Sequence, residues 1–178
     1  YFDAESQQWA HSRQNHFNLF HLGKWSPSLS SQLYLDYVKN TDNDTQPIDE
    51  AEGDEKRTTL NSSHTNYDIY SARLNIKLLL GKQHAINYGG EWSLTDGKGN
   101  TSSSSDKLGT TEYKNHDTKA AAFFQYQGSA GKWAWSAGIR YEHLTSRYTN
   151  LLDAESNMSR TYDQWFPSFS INLNEASW

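Results

Sequence analysis

The sequence has 178 residues, of which 35% are hydrophobic and 14% aromatic, with a mean hydropathy of −0.91 and a formal net charge of −5. The absence of cysteine excludes disulfides and thiolate chemistry. The longest apolar runs, at 120–124 and 78–80, are far shorter than the roughly 18 residues of a membrane helix. The aromatic excess is typical of membrane-interface girdles or of a carbohydrate-binding sheet. Residue 1 is Tyr and no signal-like stretch follows, so we expect a mature form or an excised fragment.

Seven segments alternate apolar and polar residues with a period of two, which predicts β-strands near 16–24, 29–39, 67–80, 84–95, 118–127, 132–145 and 162–174. The segment 67–80 is the clearest, because Leu74 and Ile76 alternate with Arg73, Asn75 and Lys77. The segment 16–24 is ambiguous, since it has apolar residues on both faces. Most segments reach the roughly 9–11 residues that cross a bilayer as a tilted strand, whereas globular strands usually have about 5–6. The sequence therefore predicts an all-β antiparallel up-and-down meander of long strands.

Short and long links alternate along the chain. The short ones are 26–28, 81–83 and 128–131, with a fourth near Glu175, and the long ones are 41–66, 96–117 and 147–161. Alternate links of a meander lie at opposite ends of its strands, and this asymmetry is typical of outer-membrane barrels, whose short turns are periplasmic and long loops extracellular. The segment 41–66 holds seven acidic and two basic residues. We expect it to be a mobile loop, because it has too little apolar surface to offset its ordering entropy.

Aromatic residues lie near both ends of the predicted strands, as two membrane interfaces would favour. Those near the short links are Trp25, Tyr126, Trp133 and Trp178, and those near the long links are Tyr37, Tyr67, Trp92, Tyr148 and Trp165. Ionised residues occupy the middle of the polar strand faces, which suits a water-filled lumen. We predict five of them as candidate ligand contacts: Arg73, Lys77, Glu91, Arg140 and Glu142. The alternative for Arg140 and Glu142 is a structural ion pair.

The sequence contains no recognisable catalytic, metal or cofactor motif, so we expect a protein that is not an enzyme and carries no cofactor. The seven histidines are scattered, and Asp42-Asn43-Asp44 lacks the glycine and glutamate of a calcium-binding EF-hand loop. The run Asp96-Gly97-Lys98-Gly99-Asn100 lacks the residue order of a phosphate-binding loop, and we interpret it as a flexible loop tip. No basic patch predicts nucleic-acid binding.

Two stretches resemble a known family. An aromatic strand at 120–127, a tight turn and Trp133 precede Gly138-Ile139-Arg140-Tyr141-Glu142, and Trp165-Phe166-Pro167-Ser168-Phe169-Ser170-Ile171 follows a long link. Together they resemble the barrel region of TonB-dependent outer-membrane receptors and of Bacteroidetes-type outer-membrane barrels. Tyr88-Gly89-Gly90-Glu91-Trp92 is similar to the strand before that unit. The resemblance covers residues 67–174, and the first 66 residues share only the alternation of short and long links.

The resemblance implies a receptor in the cell outer membrane that imports a siderophore, vitamin, glycan or peptide with energy from a TonB complex, acting through a plug domain. Such barrels close about 22 strands around the plug, so we expect this chain to be an internal fragment. Outer-membrane lipid would contact its apolar face, and its open edges or apolar faces would promote self-association. Two alternatives remain at this point, a soluble or surface carbohydrate-binding β-sandwich and a complete small eight-stranded barrel whose extra strand lies in residues 1–10.

Overall fold

The computed structural model describes residues 2–52, 55–105 and 109–173. Eight β-strands account for nearly all of them, and a single turn of 3-10 helix (Ala154–Ser156) lies just before the last strand. The strands are β1 (Phe2–Ser6), β2 (Trp9–Lys24), β3 (Leu29–Glu52), β4 (Glu55–Leu80), β5 (His84–Ser103), β6 (Thr111–Ala130), β7 (Trp133–Asn150) and β8 (Met158–Leu173). No helix in these ranges is long and apolar enough to span a membrane.

The strands form one antiparallel sheet, which confirms the predicted all-β meander. Each of β3 to β8 pairs with its sequence neighbours, and β1 and β2 both pair with β3, end to end along the same edge. The sheet is therefore seven strands wide, although it contains eight strands. Within the described residues no ladder joins β8 to β1 or β2, and the sheet stays open. The alternative of a closed eight-stranded barrel is wrong for this part of the chain, because residues 2–6 extend the β2 edge instead of adding a strand beyond it.

The predicted bounds of the three long links, 41–66, 96–117 and 147–161, are wrong, because the strands continue into them. In the segment 41–66, β3 and β4 pair residue by residue from Thr41 opposite Asn66 to Glu52 opposite Glu55. Backbone ladders need no apolar side chains, and polar pairs across the ladder add hydrogen bonds, such as Thr41 Oγ1 to Asn66 Oδ1 at 2.8 Å and Thr58 Oγ1 to Asp49 Oδ1 at 2.6 Å.

The other two long segments are shortened in the same way. The run 96–100, predicted as a loop tip, lies within β5 and pairs with residues 112–116 of β6. What remains of these two segments is the link between β5 and β6, of which residues 106–108 lie outside the described part, and the link between β7 and β8. Both links lie at the same end of the sheet. At the opposite end, Gly81 (φ 75°) and Gly131 (φ 58°) adopt the left-handed backbone conformation that tight turns require. The predicted turn near Glu175 lies outside the described residues.

The continuous register places the predicted apolar and polar residues on opposite faces of the sheet. Leu33, Leu74 and Gly90 are paired across β3, β4 and β5 on the apolar face, while Tyr34, Arg73 and Glu91 are paired on the polar face. Leu74, Ile139 and Ile171 remain 40%, 45% and 56% exposed. A β-sandwich would bury these three side chains against a second sheet. Their exposure on a single sheet argues against that alternative.

Aromatic side chains line both ends of the apolar face. Tyr37 stacks on Tyr70 at 4.9 Å between ring centroids near the long links, and Tyr126 stacks on His84 at 5.8 Å near the short turns. Two of the residues predicted for these belts lie elsewhere. Register places Tyr67 and Tyr148 on the polar face, because they lie an odd number of residues from Leu74 of β4 and Ile139 of β7, which are on the apolar face. Trp178 lies outside the described residues.

Candidate functional site

The polar face carries a chain of ion pairs that crosses four strands. Arg73 Nε on β4 lies 2.9 Å from Glu91 Oε1 on β5, and Arg140 Nη2 on β7 lies 2.6 Å from Glu91 Oε2. Arg140 Nε also donates to Glu142 Oε1 at 2.5 Å, and Lys119 Nζ on β6 lies 3.2 Å from Glu142 Oε2. We name Arg73, Glu91, Lys119, Arg140 and Glu142 the ion network. It brings together four of the five residues predicted as ligand contacts.

Strand register explains how the network forms. Glu91, Ala121 and Glu142 are directly opposite one another on β5, β6 and β7. Because Ala121 has only a methyl group, Arg140 can extend across β6 to reach Glu91. Ala121 is 8% exposed beneath this bridge and is one of two buried hydrophobic residues in the described part of the chain. A single sequence shows the alternation within each strand, but it does not show which residues are opposite on the next strand.

Lys119 and Ala121 are the participants that the sequence analysis missed. Both lie on β6, where Phe123 interrupts the polar face and weakens the alternation. Lys119 lies an even number of residues from Gln125 and Gln127 on the same strand, and this spacing is the one signal that could have placed it on the polar face.

Lys77 lies on the same face but outside the network. It is four residues from Arg73 along β4, toward the short turns, and has no ion-pair partner among the described residues. Its side chain borders a cavity of about 300 Å³ whose other lining residues are Ser30, Gln32, Asn75, Ile76, Asn87 and Phe123. A second cavity, of about 350 Å³, lies at the network itself and is bordered by Tyr34, Asp36, Ser71, Arg73, Glu91 and Lys119, among others.

The arrangement is suited to electrostatic binding and to holding strands in register. Arg73 keeps 56% of its side chain exposed, whereas those of Glu91 and Arg140 are 23% and 26% exposed. Arg73 can therefore meet a further charged or polar group without leaving Glu91. Within the described ranges no three His, Asp or Glu side chains are grouped closely enough to hold a metal ion.

Solved structures share this fold over almost the whole chain. The ferric citrate transporter FecA in its unliganded form matches 94% of the chain with a TM-score of 0.75 and 12% identity. BauA, the ferric preacinetobactin receptor of Acinetobacter baumannii, matches 98% with a TM-score of 0.59 and 8% identity. The siderophore receptor PiuA of the same organism matches 93% with a TM-score of 0.54 and 12% identity.

The chain spans about a quarter to a third of these proteins, namely 26% of FecA, 29% of BauA and 30% of PiuA. At such low identity the likeness concerns the fold alone. In outer-membrane barrels in general, the polar face of the sheet lines the interior and the apolar face meets lipid. No curated protein matches the sequence.

The sequence model of one family, described as the outer membrane protein beta-barrel family, matches residues 26–176. The match covers most of the chain and includes six of the eight strands, from β3 to β8. Its description agrees with a sheet that has one apolar face, one wet ionised face and aromatic side chains at both strand ends. The chain belongs to the outer membrane protein beta-barrel family and lies in the cell outer membrane.

Proposed function

We propose that this chain forms part of the wall of an outer-membrane receptor that imports a bulky nutrient with TonB-derived energy. The observation that carries the proposal is the ion network on the inner face of a sheet whose fold matches FecA over 94% of the chain. Small eight-stranded barrels fill their interior with side chains, whereas large barrels enclose a plugged lumen. Half-exposed arginine and lysine side chains beside open cavities suit the larger lumen.

Within that lumen we assign two roles to the residues predicted as ligand contacts. Glu91, Arg140 and Glu142 are bound to one another and hold β5, β6 and β7 in register. Arg73 and Lys77 have exposed cationic ends, and they contact either the passing ligand or a plug domain that would couple the barrel to TonB. None of these roles requires acid–base or nucleophilic chemistry, and the proposed receptor is not an enzyme.

The proposal is tested by energised uptake in the native bacterium. Strains that lack either this gene or the gene for TonB are supplied with ferric siderophores, vitamin B12, oligosaccharides or oligopeptides as the sole source of the corresponding nutrient. We expect both deletions to abolish growth on the same nutrient and a protonophore to stop its uptake within minutes. Growth of the gene-deletion strain at the wild-type rate on every nutrient would overturn the proposal, as would uptake that survives the protonophore.

A further inference from the structure

Three tyrosines lie on the polar face of the sheet, toward the long links. Tyr67 lies on β4, Tyr113 on β6 and Tyr148 on β7, and the register Tyr67–Gly97–Asn115–Tyr148 places them on the same face as Glu91 and Arg140. The ion network does not include them, and they are not part of the lipid-facing belts. We name these three residues the tyrosine platform.

Two glycines of β5 hold the rings flat against the wall. A Cβ atom added to Gly97 would lie 2.7 Å from Cε1 of Tyr67, and one added to Gly99 would lie 2.7 Å from Cζ of Tyr113. Each ring therefore covers a glycine of the neighbouring strand, where any other residue would push it away. Tyr148 stacks on Tyr113 with 5.7 Å between centroids and 25° between planes. All three tyrosine side chains are half-buried, so part of each remains accessible on the polar face.

Hydrogen-bonding groups surround the rings. The side chains of Tyr67 and Tyr113 interact with each other. Asn115 Nδ2 donates to Asp117 Oδ2 at 2.7 Å, while Asp117 Oδ1 is buried without a hydrogen-bond partner. Asp42 interacts electrostatically with Tyr67. In the described residues neither Asp42 nor Asp117 forms an ion pair, and Asp42 Oδ2 accepts a hydrogen bond from Asn40 Nδ2 at 2.5 Å.

This combination matches the chemistry of a sugar. A pyranose ring has an apolar C–H face, which an aromatic ring can cover, and a rim of hydroxyl groups, which carboxylates and amides bind. An anionic ligand would meet Asp42 and Asp117. The basic residue nearest to Asp117 on this face, Lys119 two residues along β6, is paired with Glu142, and Arg160 lies two strands away. The distance from β4 to β7 is roughly 14 Å at about 4.8 Å per strand, which exceeds the width of one sugar ring.

We infer that Tyr67, Tyr113 and Tyr148 form a stacking platform for a neutral oligosaccharide at the outer mouth of the lumen. The inference rests on the proposed function, because it names the ligand class of the same receptor. Tyr67 and Tyr113 supply apolar contact, Tyr148 extends the surface to β7, and Asp42, Asn115 and Asp117 bind hydroxyl groups. The ion network lies deeper along the same path.

The test measures binding to the full-length receptor, purified in a detergent without sugar groups, by isothermal titration calorimetry. The probes are hexasaccharides of α-1,4-glucose, β-1,4-glucose, β-1,4-mannose and β-1,4-xylose, with ferric citrate as an anionic probe. We expect at least one hexasaccharide to bind and Tyr113→Ala and Tyr148→Ala each to weaken it at least tenfold. Tyr88→Ala, which removes a ring from the lipid-facing side, serves as the matched control and should leave affinity unchanged.

A second pair of variants moves a ring without removing it. Gly97→Ala should displace Tyr67 and weaken binding, while Gly109→Ala, with open space around the added methyl group, should not. Retention of heat-modifiable migration on gels shows that each variant is folded. Failure of every hexasaccharide to bind would overturn the inference, as would equal affinity of the platform variants and wild type, or platform-dependent binding of ferric citrate.

The binding experiment and the uptake experiment can contradict the two proposals independently. If a hexasaccharide binds at the platform but no nutrient is taken up in a TonB-dependent manner, the platform stands and the import proposal is wrong. If import depends on TonB but no hexasaccharide binds, the receptor stands and the platform inference is wrong.

Discussion

Arg140 on β7 binds Glu91 on β5 across the intervening strand, with 2.6 Å between Nη2 and Oε2. The two strands are not neighbours, and the bridge is possible because Ala121 of β6 lies in register with Glu91. The pair therefore links strands that share no backbone hydrogen bonds. A methyl group on the middle strand thus determines whether this contact can form.

Enlarging that methyl group should destabilise the barrel wall. We expect Ala121→Leu to lower the free energy of unfolding by about 1–3 kcal/mol, because the added atoms occupy the path of Arg140. Urea unfolding of the full-length protein in lipid vesicles, followed by tryptophan fluorescence, measures the change. Ala122→Leu is the matched control, since Ala122 is the next residue on β6 and lies on the apolar face. Equal stability of the two variants would show that the bridge does not need the space above Ala121.

A double-mutant cycle should detect the bridge directly. We expect Arg140→Ala and Glu91→Ala to show a coupling energy of about 1–2 kcal/mol, since charge-assisted hydrogen bonds connect the two side chains. Arg73 and Glu142 belong to the same network without touching each other, so their cycle is the control, with an expected coupling below about 0.5 kcal/mol. The measurement is again urea unfolding in vesicles. Similar coupling in both cycles would mean that the network acts only through its total charge.

The sequence was sufficient to place Arg73, Glu91, Arg140 and Glu142 on one face, because side chains of a strand alternate and the flanking apolar residues identify the other face. It could not place them in contact. Contact depends on the register Glu91–Ala121–Glu142, which the backbone ladders of three strands establish together. Single-strand patterns contain no information about that pairing.

The sequence was least informative toward the long links. Between Thr41 and Asn66 hydrophobic alternation disappears, and the segment therefore resembled a loop. The backbone ladder nevertheless continues to the end of β3. The threonines were the available signal, since Thr41, Thr58 and Thr65 are β-branched residues that favour strands even without burial. The mobility expected of this segment depended on its lacking structure, and that premise is wrong.

A charge on the outer face should be far less tolerated than one on the inner face. Ile139 lies at mid-strand on β7, directly opposite Phe124 and Pro167, and is 45% exposed. We expect Ile139→Arg to cost about 2–4 kcal/mol, as arginine does near the bilayer midplane. Gln125→Arg is the control at similar depth on the inner face and should cost less than about 1 kcal/mol, the usual limit for a solvated surface change. If the two substitutions cost the same, lipid does not contact the apolar face.

Orientation in the membrane is the last expectation to test. The links near Gly109 and between β7 and β8 lie at one end of the sheet, and the turns at 81–83 and 131–132 lie at the other. Long links of outer-membrane barrels are extracellular and short turns periplasmic. We therefore expect an epitope inserted after Gly109 to bind its antibody on intact cells. The same epitope after Lys82 should bind only once the outer membrane is permeabilised.

Gly109 suits insertion because no other part of the described structure lies within 4 Å of a Cβ added there. Comparable amounts of both tagged proteins in the outer-membrane fraction provide the control. Labelling of the Lys82 epitope on intact cells, with none at Gly109, would mean that the barrel is inserted with the long links in the periplasm.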